Sequence, residues 1–73
     1  MAQWDPTASA ELAKSIIASK ISRAEADQLE QDIDNWANGI AAADRTDFPS
    51  PNGQGTFTAH AENQTVRSVG YSW

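Results

Sequence analysis

The sequence predicts a mainly α fold: an antiparallel two-helix hairpin, then a Pro/Gly loop and an extended or β-hairpin C-terminal arm. Three observations carry that prediction. Ser22-Arg23-Ala24-Glu25 is a capping box opening a long apolar repeat. Asp5-Pro6 marks an earlier helix start, ahead of a second apolar stripe. Residues 47–55 then carry two prolines and two glycines, a composition that ends helical structure.

The first helix is predicted over about residues 6–18. Asp5 can accept amide hydrogen bonds as N-cap. Pro6 fits the first helical position, where a missing N–H costs nothing. Leu12, Ile16 and Ile17 form an apolar stripe with Ala13, while Glu11, Lys14 and Ser15 face away. Trp4, just before the cap, is placed to fold onto Ala8 or Leu12. A helix this short is marginal alone, so its stripe needs a partner.

The second helix is predicted over about residues 23–43, roughly 30 Å long at 1.5 Å per residue. The Ser22 hydroxyl caps the Glu25 amide, the Glu25 carboxylate returns to the Ser22 amide, and Ile21 is placed as a hydrophobic staple. Leu29, Ile33, Trp36 and Ile40 recur at helical steps, flanked by Ala26, Ala37 and Ala43. Gly39 interrupts this stretch. The other face carries Glu25, Asp27, Glu30, Asp32 and Asp34. Arg23 is the only base nearby, so helical ion pairs do not account for the cluster. The short link between the helices implies antiparallel packing, with Leu12, Ile16 and Ile17 against Leu29, Ile33 and Trp36. Residues 1–47 would form this hairpin.

Residues 48–73 would form the arm, with room for two short strands at 56–61 and 65–72 and a turn at Glu62-Asn63-Gln64. Period-two alternation places Arg67, Val69, Tyr71 and Trp73 on one side, opposite Val66, Ser68, Gly70 and Ser72. A lone two-stranded hairpin is barely stable in water, so the arm must pack on the helices or pair with another chain.

Composition narrows the function. A chain of 73 residues makes one small domain. With no cysteine and only His60, neither a disulfide framework nor a zinc ligand set can be assembled. Asp32 and Asp34 project roughly 200° apart on a helix and lack the Gly-kinked loop of a calcium site. No metal or other cofactor is therefore expected. Nor is an enzyme: the sequence has no Gly-rich phosphate loop, nucleophile elbow or His-Glu-x-x-His. No apolar run approaches the roughly 20 residues of a membrane span. The start, Met-Ala-Gln-Trp-Asp-Pro, has no basic n-region or apolar h-region, so export by a signal peptide is not expected. A net charge of −5 disfavours direct nucleic-acid binding. Other proteins remain as partners.

Two surfaces could meet them. On the arm, Phe48, Val69, Tyr71 and Trp73 would anchor a strand added to a neighbouring subunit, because aromatic side chains bury large areas with few rotors to freeze. Alternatively, Glu25, Asp27, Glu30 and Asp34 would meet a basic protein surface. That is the strategy of small acidic nucleic-acid mimics such as anti-restriction and anti-CRISPR inhibitors.

Ile21-Ser22-Arg23-Ala24-Glu25, followed by Leu29, Ile33-Asp34 and Trp36, resembles the second helix of small tailed-phage proteins of the head-to-tail joining type. The resemblance covers roughly 20 residues, mostly a capping box and an apolar face. It implies a non-enzymatic virion component, a connector or capsid-associated protein present in several copies in the virion or host cytoplasm, binding its neighbours through its termini. Such proteins usually carry a β-hairpin between the helices, for which residues 19–21 leave no room. Their tails are usually basic, whereas here the tail has only Arg67.

Overall fold

The computed structural model describes all 73 residues, in the order β1 (Gln3–Trp4), α1 (Pro6–Ser19), α2 (Arg23–Asn38), β2 (Asp44–Pro49), β3 (Thr56–Glu62) and β4 (Thr65–Ser72). The strands form one four-stranded mixed sheet in the order β1-β4-β3-β2. Only the β1–β4 pair is parallel. The fold is thus α+β, and the expected mainly α hairpin with a trailing arm is incorrect. Both helices lie on one face of the sheet, α1 along β4 and α2 across β4 and β3.

The physical reason is the supply of core. Ala8, Leu12, Ala26, Leu29, Ile33 and Ala37 are buried on the helices. Phe57, Ala59, Ala61, Val66 and Val69 supply the opposing layer from the sheet. A helix pair with so many alanines has too little apolar volume to close on itself, and the sheet completes it.

In α1 the buried stripe is Ala8, Leu12, Ser15 and Ser19. Ile16 is half-buried and Ile17 points to solvent, which reverses the expected orientation of Ser15 and Ile17. Adjacent residues are turned about 100° apart on a helix, so both isoleucines cannot face one core. The Asp5 side chain makes no cap hydrogen bond and instead pairs with Arg67 at 3.1 Å. The helix ends at Lys20 in the left-handed conformation, its N–H bonded to the carbonyls of Ile16 and Ile17.

The capping box of α2 has both arms, Glu25 N–H to Ser22 Oγ at 3.2 Å and Ser22 N–H to Glu25 Oε1 at 2.8 Å. The helix stops at Asn38 rather than Ala43, with Gly39 as its C-cap. The carbonyls of Ile40 and Ala41 accept from the amides of Gln64 and Asn63 instead of continuing the helix. That draws the chain towards β2.

Asn63 and Gln64 are both in the left-handed region, at φ 52° and 58°, as a tight turn between twisted antiparallel strands requires. In the β3–β4 pair His60 faces Ser68 but Ala61 faces Val66, so Arg67 is an extra residue on β4. This bulge shifts the alternation by one. Val66 and Val69 therefore both reach the core, although strict alternation sets them on opposite sides.

Candidate functional site

The four anchors expected on the arm are mostly engaged within the chain. Phe48, on β2, is half-buried and meets the Trp36 ring edge-on at 6.0 Å. Val69 is a buried residue of β4, paired with Ala59. Tyr71 packs on Phe57 with ring centres 5.0 Å apart, and its hydroxyl donates to the Gln54 carbonyl. Trp73 alone is free, with 83% of its surface exposed. The segment read as an arm holds the two central strands of the sheet, so it is not a detachable element.

Trp73 borders a groove of about 450 Å³ between the end of α1 and the β2–β3 loop, shared with Ala18, Lys20, Gln54 and Tyr71. The loop is held against the helix by Asn52. Its Nδ2 donates to the Ser19 carbonyl at 2.9 Å, and its Oδ1 accepts from the Ser50 hydroxyl and the Gln54 amide. Gly55 allows the fit, because its φ is +92° and a Cβ there would lie 2.6 Å from the Ser72 carbonyl oxygen. Ile17, in the last turn of α1 beside Ala18, is 77% exposed. Ile17 and Trp73 thus leave two large apolar groups at the same end of the molecule. Ile17 was missed as a candidate because it reads as core. The adjacent pair Ile16-Ile17 was the available signal, since one of the two had to point outward.

On the acidic face, Glu25 is held in the capping box. Asp34 accepts from the Trp4 indole N–H at 3.0 Å and the Ala2 N–H at 3.3 Å. Asp32 accepts from the Gln28 side chain. Asp27, Glu30 and Asp34 line a shallow hollow beside Met1, Gln31 and Asn35. Of the four acidic candidates, only Asp27 and Glu30 make no side-chain hydrogen bond or ion pair within the chain.

The sheet face away from the helices is polar and uncovered. Arg45, His60 and Ser68 share one row across β2, β3 and β4, with His60 Nδ1 and Ser68 Oγ 2.8 Å apart. Asp47, Thr58 and Gly70 share another, with the Thr58 hydroxyl donating to Asp47 at 3.0 Å. No three His, Cys, Asp or Glu side chains are grouped to hold a metal ion. No helix is long and apolar enough to cross a membrane.

No protein-family model, curated protein or solved structure matches the chain.

Proposed function

We propose that the protein is a non-enzymatic structural protein that docks onto neighbouring subunits of an assembly through the end bearing Ile17 and Trp73. One observation carries the reading. A domain with so small a core nevertheless leaves a tryptophan 83% exposed at an open groove, and an isoleucine 77% exposed in the last turn of the helix whose end lines that groove. Tryptophan is enriched at interface hot spots, where truncation costs about 2 kcal/mol or more. The resemblance of residues 21–36 to head-to-tail joining proteins supports a virion component as the kind of assembly, located in the virion or the host cytoplasm. Docking of a folded end replaces the strand-donating arm in this reading.

A photo-crosslinking residue at position 73 tests it in the native source. The expected result is covalent adducts to one or a few proteins of a particle, absent when the probe is placed at exposed Ser9. Equal, diffuse labelling from both positions would defeat the proposal. The acidic-inhibitor alternative ranks second, because Glu25 and Asp34 already serve the fold. It would displace the first reading if partner binding were lost in Asp27→Lys/Glu30→Lys but kept in Trp73→Ala.

A further inference from the structure

The two edges of the sheet are treated differently. On the far side, β1 pairs with Thr65 and Val66 of β4, and further along that strand the Val69 N–H donates to the Glu11 carboxylate of α1 at 3.0 Å. The β2 edge, Asp44–Pro49, is open along its length.

The direction of the β2 backbone groups follows from the ladder. Val69 N–H points away from β3, so its partner Ala59 turns its own N–H and C=O towards β2. Thr46, paired with Ala59, therefore bonds inward, and Arg45 and Asp47 present their backbone groups to solvent. The Asp44 carboxylate accepting from the Arg45 N–H at 2.8 Å agrees with that direction. Pro49, the next outward position, has no N–H and ends the usable edge.

From this arrangement we infer that two copies of the chain join through β2, antiparallel about a dyad at Thr46, into one eight-stranded sheet. The charges select the register. Centring on Thr46 sets Arg45 opposite the partner's Asp47, and Asp47 opposite the partner's Arg45, on the open face of the sheet. Sliding by two residues instead stacks Asp47 on Asp47 or Arg45 on Arg45, and directly opposed like charges are destabilising. Neither side chain has an ion-pair partner in the single chain: both salt bridges belong to Arg67. Each Arg45–Asp47 pair is also a hydrogen-bonded pair of the ladder, so the dyad forms four backbone hydrogen bonds. In this dimer the carbonyl of the partner's Asp47 replaces the Asp44 carboxylate on the Arg45 N–H. The inference uses residues separate from Ile17 and Trp73 and is independent of the docking end.

Sedimentation of the full chain over a micromolar-to-millimolar series tests it. The expected species shifts from 7.9 kDa to twice that mass. Asp47→Lys should weaken the dimer at least about tenfold, and Arg45→Asp/Asp47→Arg should restore it, as a like-charge pair and its relief require. The chain has no cysteine, so Thr46→Cys gives a clean second measurement. Thr46 would face its own copy as a non-hydrogen-bonded pair with Cα atoms roughly 4.5 Å apart, within disulfide range. Mild oxidation should then trap the dimer at position 46 and not in Ser9→Cys. A wild type that stays monomeric and shows no preferential crosslinking at position 46 overturns the inference. So does a dimer that survives Asp47→Lys but is lost in Trp73→Ala.

Discussion

The Trp4 indole N–H donates to the Asp34 carboxylate across 3.0 Å, joining residues thirty positions apart. Through this bond β1, which pairs with β4, is tied to the C-terminal half of α2. The same carboxylate accepts the Ala2 N–H at 3.3 Å, so one acidic side chain holds two donors of the N-terminal strand. Asp34 is therefore an anchor of the fold, although it lies on the face that reads as acidic surface.

Asp34→Ala leaves the half-buried indole N–H and the Ala2 amide without their acceptor. The expected loss is about 1–3 kcal/mol of unfolding free energy, with Asp34→Asn in between because it keeps one acceptor. Urea unfolding followed by tryptophan fluorescence reads both. An alanine variant as stable as wild type would mean the bond contributes nothing.

Truncation after Asp47 removes Phe57, Ala59, Ala61, Val66 and Val69, the whole sheet side of the core. The remaining helices are expected to lose their far-UV circular dichroism signal, since helices of this length are marginal without a packed face. In the full chain Phe57→Ala should cost about 3–5 kcal/mol. A helical, monomeric fragment of residues 1–47 would show instead that the helices need no sheet.

Gly53 and Gly55 both have positive φ, at 75° and 92°, but only Gly55 is crowded. Gly53→Ala meets nothing within 4 Å and should cost about 1–2 kcal/mol for its backbone conformation alone. Gly55→Ala adds a clash with the Tyr71 ring and with a backbone oxygen that cannot rotate away. Its cost should exceed that of Gly53→Ala by at least about 1 kcal/mol, in line with overpacking. Equal thermal midpoints for the two variants would refute the close approach.

The capping box at Ser22 and Glu25, the start of α1 at Pro6, the two strands β3 and β4 and the turn at Asn63-Gln64 were all legible in the sequence. Each depends on residues within a few positions of one another, through a side-chain cap, a locked φ or a period-two pattern. The candidate site was legible only in part: of the four arm residues Trp73 is exposed, whereas Phe48, Val69 and Tyr71 have partners inside the chain that no local pattern specifies. The strand β2 carries a proline and three charges, a composition of loops, and it is a strand only because an edge tolerates both.

By itself, then, the sequence determined where helices and the β-hairpin begin, and that one face of α2 is apolar. The tertiary structure decided what those faces meet. It set α1 on its Ala8/Leu12/Ser15/Ser19 side, turned Ile17 outward, recruited β1 and β2 into a sheet, and gave Asp34 to Trp4. The reason is that caps and turns are satisfied by neighbours in the chain. Burial and strand pairing are satisfied by whichever distant residues complete the most apolar surface and the most backbone hydrogen bonds at once.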